Sequence, residues 1–525
     1  MAQQIAELAG EPFPYERTSL KNILLQSVSR HGDSTAVVAL QQPADLLPTV
    51  SRGDGTATYL RWTYSELFAG ARLLAAALRQ QGVQKGDPIA AVLYNCAEWA
   101  LGFWASVMLD CPWVVIHPRV ASHADELSRM LDLSKPKVLL ACDSSLVEKM
   151  HASAPKQMEA LPTRISCGAT DSMRDDCLPL WRILDNDLAP FEVYPDGPVS
   201  VTDELRLVLF TSGTTGHPKA CMHTNKTLTS MIQNHANNLH LDDKSVAVSH
   251  LTLTHCFGML YSTSFWYAGG TVVYPSSKFD ATSTLDAIRL ERCTHMPAVP
   301  SLLYSLVDAM GNAGVKPSTL CHIELSGATI PREAIELAEN KLGACKTTVH
   351  YGLTENGPAV SWRHGRAPET FDNGPVSAGL PLPGSSVRIC VPGSRTPVSR
   401  GDAGEIHISG PQLIRGYIGA EQNDRFYDDA LGHWMMTGDQ GVLLSNGELF
   451  VSGRYKDIIV RGGENIAPTQ IEAILNCRKG VNVCQRSNLA VEEVSHANAV
   501  IGSSGRCSGR HRGRGTCRCC AKRPL

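Results

Sequence analysis

The run Thr211–Lys219, TSGTTGHPK, gathers hydroxyls, glycines and a cation within nine residues. Gly213 and Gly216 let backbone N–H groups come close to an anion, Thr211, Ser212, Thr214 and Thr215 offer hydroxyls, and Lys219 supplies positive charge. That is chemistry for holding phosphate. The spacing differs from G-x-x-x-x-G-K-[ST], because Lys219 follows His217-Pro218 rather than a glycine and no Ser or Thr comes after it. Leu205–Phe210, just before the run, has the length and composition of a buried strand, so a strand feeds the loop. Taken alone, the same composition also describes a solvent-exposed Ser/Thr/Gly linker.

Thr211–Lys219 resembles the phosphate loop of the adenylate-forming superfamily: acyl- and aryl-CoA synthetases, luciferases and the adenylation domains of peptide synthetases. Further segments match in that family's order: His255-Cys256-Phe257-Gly258, Ser326-Gly327-Ala328, Tyr351–Glu355 (YGLTE), Gly404–Tyr417 (GEIHISGPQLIRGY), Thr437-Gly438-Asp439 and Gly453–Ile466 (GRYKDIIVRGGENI). Together they cover most of the chain up to about Glu472. The run KDIIVRGGENIAP is most similar to medium-chain fatty-acyl-CoA synthetases and related acyl-CoA ligases.

The resemblance implies an acid–thiol ligase that joins a carboxylic acid to AMP, releases pyrophosphate, and passes the acyl group to coenzyme A. A carrier protein is the alternative acceptor within the same chemistry; the segment around His255 lacks the aspartate expected for gripping an α-amino group. A non-catalytic nucleotide-binding remnant is the alternative outside it. ATP, Mg²⁺ and coenzyme A are the implied cofactors. Catalysis of this kind needs the triphosphate held, charge neutralised at the α-phosphate, and the carboxylate brought in line.

By the same resemblance, Thr211, Ser212 and Thr214 are the closest contacts of the β- and γ-phosphates, with Gly213, Thr215, Gly216 and Lys219 completing the loop. Glu355 is the implied Mg²⁺ ligand, a hard oxygen donor for a hard cation, and Thr354 turns its hydroxyl to the α-phosphate. Gly327, Ala328, His350, Tyr351 and Gly352 match positions that line the adenine. Asp439 takes the ribose hydroxyls with Arg454 as its companion, and His255 stands near the carboxylate entrance. The acyl group then lies along Phe257, Met259, Val299, Tyr304 and Leu325–Ile330. Plainer readings stand beside these: a helix start for Thr354-Glu355, surface ion pairs for Asp439 and Arg454, a packed polar residue for His255.

A chain of 525 residues, 43% hydrophobic and 19% charged, has room for more than one domain and the composition of a soluble globular protein. A net charge of −3 gives no field to draw nucleic acid or anionic membrane; the partners that the resemblance implies are a small carboxylic acid and coenzyme A, with a carrier protein as the alternative acceptor. The 17 cysteines have no repeating spacing and MAQQIAELAGEPFP is not a signal peptide, which together predict a reducing, cytoplasmic setting. The terminal Arg-Pro-Leu is not a Ser-Lys-Leu peroxisomal address, and a peroxisomal location enters only if the native C-terminus has been lost. Trp99–Ile116 is broken by Asp110 and Pro112, so it predicts a buried helix followed by a strand rather than an integral membrane segment.

The elements that must position these residues alternate. Helical spacing over Ser19–Arg30 precedes a strand at Thr35–Leu40; Gln41–Leu60 loses periodicity and predicts a surface loop. Thr63-Tyr-Ser-Glu66 is a capping box opening a helix that stops at Gly82. Strands at Pro88–Tyr94, Trp113–His117 and Lys137–Cys142 alternate with helices at Ala97–Leu109, His123–Leu133 and Leu146–Ala152, which predicts parallel sheet from βαβ units. Asp175–Leu205 predicts an irregular connector, and Asn446-Gly447 a hairpin turn. The expected fold class is α/β: a large N-terminal body of two βαβ-layered subdomains plus a small β-barrel-like subdomain, with an incomplete small α+β C-terminal domain.

The expected division is 1–455 for the large domain with the ATP and acyl sites, 456–501 for a remnant of the mobile C-terminal domain, and 502–525 for a disordered basic tail. After Glu472 the family pattern stops, and no segment matches the lysine-bearing part of that domain. Gly502–Leu525 is dense in Arg, Gly and Cys and has no acidic residue. Its Cys507, His511, Cys517, Cys519 and Cys520 do not have the spacing of a zinc finger. Loss of the natural reading frame near codon 472 is the expectation that accounts for this change of text.

Overall fold

The computed structural model describes residues 4–47, 50, 58–168, 177–184, 189–196, 203–211, 218–311, 319–362, 376–419, 423–457, 459–461 and 464–466. Ser212, Gly213, Thr214, Thr215 and Gly216 of the expected phosphate loop lie outside the described residues, as do nearly all of the expected C-terminal remnant and the whole 502–525 tail.

Two mixed sheets with parallel centres form the body. The first runs Lys219–Thr224, Leu205–Thr211, Trp113–Val115, Ile89–Val92, Val138–Ala141, Thr163–Ser166, Leu178–Pro179, with every neighbouring pair parallel except the first. Its central strands read as unbroken apolar runs, buried throughout, as strands covered on both faces do. The second runs Leu380–Pro381, Gly357–Trp362, Lys346–Leu353, His322–Leu325, His295–Ala298, Val246–Val248, Thr271–Tyr274, Thr35–Ala39, Leu60–Thr63, parallel from Lys346–Leu353 to Thr35–Ala39. The expected α/β class is present, with the parallel sheet read from the alternation and a second βαβ layer beside it.

One apolar core is shared by the two sheets. The helix Ala97–Met108 is buried on every side, as its sequence, apolar all round apart from Glu98 and Ser106, requires. Trp99 stacks on Phe103 at 5.3 Å, and Trp104 meets Trp266 of the helix Cys256–Ala268 at 5.7 Å. Interior position explains the apolar run Trp99–Ile116, and among the described residues no helix is long and apolar enough to cross a membrane.

The Thr63 capping box forms as expected: the Thr63 hydroxyl accepts from Glu66 N at 3.2 Å and Glu66 Oε2 accepts from Thr63 N at 2.8 Å. The described residues 41–47 form the irregular, largely exposed or half-buried loop expected from sequence, and this loop also packs on the buried helix. Gln42 Oε1 accepts from Ala97 N at 2.8 Å and its amide donates to Glu98 at 2.7 Å, while Leu47, Val50 and Leu60 are core residues. Within the expected irregular connector, Leu178–Pro179 adds an edge strand and Leu180–Leu184 a short helix.

The small subdomain is an antiparallel sheet ordered Glu7–Ala9, Ser386–Cys390, Ala403–Ser409, Gly432–Leu443, Phe426–Asp429, with Leu449–Arg454 also paired to Gly432–Leu443. The predicted hairpin closes through Gly447, at φ +88°, with Leu443 opposite Leu449. Its core includes Ala359 and Val360 of the nine-stranded sheet, so the small sheet is packed onto the body beside the Lys346–Leu353 hairpin.

Candidate active site

Both parallel sheets send their carboxyl ends to one region. A cavity of about 750 Å³ lies there, lined by Tyr94 and Asn95 beyond Ile89–Val92, His117 and Arg119 beyond Trp113–Val115, and His250 and Leu251 beyond Val246–Val248. Lys278 and Phe279 beyond Thr271–Tyr274, Val299 beyond His295–Ala298, and Gly327 and Ala328 beyond His322–Leu325 complete it. Ligands of open α/β sheets bind outside the carboxyl ends of the strands. Gly327 needs no side chain to clear, and its φ of +80° suits glycine at this turn.

The next parallel strand, Lys346–Leu353, ends in Thr354 and Glu355, which places these beside the cavity's edge strands. Gly352 packs directly on the antiparallel partner: a Cβ here would lie 2.0 Å from the Gly357 carbonyl oxygen. Any larger residue would push the Thr354–Glu355 turn off its seat. Glu355 is buried and its Oε1 accepts from Tyr417 Oη at 2.6 Å, a short charge-assisted bond. The Lys219 ammonium lies 5.0 Å from the Tyr417 ring centre, and burial, then Arg425, lower its pKa. Thr211 and Lys219 face each other across the strand pair, so the two ends of the expected phosphate loop are held together.

Asp439 and Arg454 are opposite one another on Gly432–Leu443 and Leu449–Arg454, with Arg454 Nε 3.1 Å from Asp439 Oδ1. The pairing expected from sequence is therefore present. Tyr351 Oη donates to Asp439 Oδ2 at 2.8 Å. Burial raises the pKa of Asp439, opposed by Arg454 and by the Tyr351 bond.

His255 lines the cavity at the start of the helix Cys256–Ala268, without capping it. Burial, then Arg119, lower its pKa. His117 is lowered by burial, then by Arg119, His255 and Lys278, so these four groups form one basic wall.

Not every expected residue gathers here. The His350 side chain does not line the cavity; its Nδ1 is 3.2 Å from Glu324 Oε1 and its Nε2 is 3.0 Å from Asn238. His235 contacts the same carboxylate at 3.0 Å. Burial would raise the pKa of Glu324, but His235 and His350 hold it below the usual carboxylate value. Of the expected acyl-contacting residues, Phe257, Val299, Tyr304, Gly327, Ala328 and Thr329 line the cavity, whereas Met259, Leu325 and Ile330 face the core.

Sequence reasoning missed Arg119, Lys278 and His223. His223 is fully buried on Lys219–Thr224 and its Nε2–H donates to the Thr354 carbonyl at 2.8 Å. Burial lowers its pKa to about 4, so it is a neutral donor fixing the Thr354 turn. The alternation Lys219, Cys221, His223 was the available signal, since it sets all three on one face of a strand.

The sequence profile described as AMP-binding enzyme matches residues 24–418. The acyl-CoA ligase SID4 of Ajellomyces capsulatus is 29% identical over 448 residues, 81% of this chain and 73% of that protein. Among solved structures, ATP-bound MatB from Rhodopseudomonas palustris superposes with a TM-score of 0.71 at 24% identity, covering 88% of this chain and 84% of that one. The O-succinylbenzoate coenzyme A synthetase MenE from Bacillus subtilis, in complex with ATP and magnesium ion, does so with a TM-score of 0.69 at 24% identity, covering 87% and 84%. Both likenesses establish the fold.

Proposed function

The chain belongs to the AMP-binding enzyme family, and on that premise we propose that it is an acid–thiol ligase of the AMP-forming kind. A carboxylate oxygen attacks the α-phosphorus of ATP, the bond to the β-phosphate oxygen breaks, and pyrophosphate leaves. The coenzyme A sulfur then attacks the acyl carbon, and AMP leaves with the bond electrons.

What carries it is one topological fact: the cavity, Thr354, Glu355 and the ends of the 211–219 loop all stand at the carboxyl ends of two parallel sheets that share a core. Aromatic and aliphatic walls (Tyr94, Phe257, Phe279, Val299, Tyr304) suit an apolar acyl or aryl group. Arg119 and Lys278 supply the positive potential that draws a carboxylate, and His255, held toward its neutral form by burial and Arg119, offers ring nitrogens for hydrogen bonding. The SID4 relative's name and the nucleotide and ion in the MenE structure support ATP, Mg²⁺ and coenzyme A as this chain's cofactors.

Glu355 fits a divalent cation: it is a buried hard oxygen donor, held at one oxygen by Tyr417. When bound, Mg²⁺ supplies charge neutralisation on the phosphates. The chain's own residues do the rest. Lys219 and Thr211 hold the two ends of the phosphate loop, His223 fixes the Thr354 turn, and Asp439 offers a carboxylate braced by Tyr351 and Arg454 for the ribose. We place the boundary of the mobile C-terminal domain after residue 455, just past the Asp439–Arg454 pair.

Pyrophosphate release by the purified chain with Mg·ATP, across fatty and aromatic carboxylates with and without coenzyme A, tests this. Release that depends on a particular acid and yields its CoA thioester is expected. Silence across the panel from a chain that ATP still protects against heating would leave a nucleotide-binding protein without ligase activity.

A further inference from the structure

Tyr417 closes the segment GEIHISGPQLIRGY. Residues 414–418 clasp two parts of the site. Ile414 N donates to the Glu355 carbonyl at 3.0 Å, Ile418 N donates to the Ala220 carbonyl at 2.9 Å, and Tyr417 pairs with Cys221 as an isolated bridge. The backbone thus spans from the Glu355 turn to the strand leading out of the phosphate loop.

The Tyr417 side chain repeats this connection. It is buried, its hydroxyl donates to Glu355 Oε1 at 2.6 Å, and the Lys219 ammonium sits 5.0 Å from its ring centre. No described residue donates a hydrogen bond to Glu355 Oε2. A carboxylate with one oxygen fixed by a short bond and the other open can offer a cation one oxygen in a set direction, which suits the strict octahedral demand of Mg²⁺.

We propose that Tyr417 is a positioning residue: it locks Glu355 through Oε1 so that Oε2 alone faces the nucleotide's cation, and its ring seats Lys219 at the foot of the phosphate loop. The proposal rests on the ligase reading for Glu355. Partners of this kind, hydrogen-bonded to a metal ligand, change metal affinity when removed, typically by about 10–100-fold.

Tyr417→Phe keeps the ring and its cation contact and removes only the hydroxyl. Two readouts follow it: protection by ATP against heating at graded Mg²⁺, which needs no turnover, and the Mg²⁺ concentration for half-maximal pyrophosphate release. In both, Y417F is expected to need about 10-fold more Mg²⁺ than the wild type, with protection measured from each variant's own ligand-free melting temperature, since loss of the bond to a buried carboxylate also lowers stability. Glu355→Asp, which withdraws the carboxylate from Tyr417, is expected to shift the Mg²⁺ requirement too, and adding Y417F to it should cost little more. An unchanged Mg²⁺ requirement in Y417F, or full additivity in the double variant, overturns the proposal. A wild type that shows Mg²⁺-dependent ATP protection but no acid-dependent pyrophosphate release overturns the ligase reading instead, and the protection assay still decides the role of Tyr417.

Discussion

Tyr351 donates its phenolic hydrogen to Asp439 at 2.8 Å, although the two residues stand on different sheets. The bond pins the nine-stranded sheet to the small antiparallel one at the candidate nucleotide site. Arg454, opposite Asp439, holds the other carboxylate oxygen, so Asp439 is oriented from two sides despite burial that works against its charge.

Asp439→Asn keeps the shape and removes the charge. Hydrogen bonds to charged groups are worth about 1.5–3 kcal/mol, so the KM for ATP should rise roughly 10–100-fold. Tyr351→Phe should raise it less, because Arg454 still orients the carboxylate. Initial rates of pyrophosphate release against ATP concentration check both, and an unchanged KM in D439N would remove Asp439 from the nucleotide's contacts.

Gly352→Ala places a methyl group 2.0 Å from the Gly357 oxygen and 2.8 Å from Pro358 Cα, both backbone atoms. Overpacking of this kind costs about 1–3 kcal/mol. The strand pair must separate just before Thr354 and Glu355, so activity should fall further than stability does. Calorimetry and turnover on the same preparation compare the two; full activity in a destabilised G352A would show that the turn tolerates displacement.

Where local periodicity was strong, the fold was legible in the sequence. The strand at Leu205–Thr211, the buried helix Ala97–Met108 and the capping box at Thr63 follow from apolar runs and cap chemistry that act within a few residues. Gln42 and Leu47 do lie in a loop, but their contacts were hidden because the partners, Ala97 and the shared core, are distant in sequence. Ordered motifs made Asp439, Arg454 and Glu355 legible. His350 has a contact that its motif position does not show: its Nδ1 lies 3.2 Å from Glu324, a residue with no motif of its own. Arg119 and Lys278 were invisible because they come from loops after separate strands and meet only when both sheets form.

Four buried histidines predict acid sensitivity. Burial lowers the pKa of His223, His250, His295 and His407 to about 4 each, against an ordinary value near 6.5. Each is neutral when folded and takes up a proton when unfolded below that ordinary value. Their contribution is therefore complete above about pH 6.5 and is lost as pH falls toward 4, on the order of 1–2 kcal/mol per histidine at pH 5. Melting temperature measured from pH 7.5 to 4.5 should fall steeply on the acid side. A flat profile would mean that the folded protein does not hold the pKa values of these rings below those of the unfolded chain.

Arg119 and His255 give the last prediction. Burial, then the Arg119 guanidinium, hold the His255 pKa below its usual value, and both side chains line the cavity where the carboxylate is expected. Arg119→Met keeps much of the side chain's bulk and removes the charge, so the His255 pKa should move up toward that of free histidine. The inflection in kcat/KM that disappears in His255→Ala should then lie at higher pH in R119M than in the wild type. The direction is the same whichever protonation state binds the carboxylate, because only the field on the ring has changed. Because kcat/KM reports the free enzyme, an inflection that stays in place would show that the Arg119 charge does not act on the His255 ring before substrate binds.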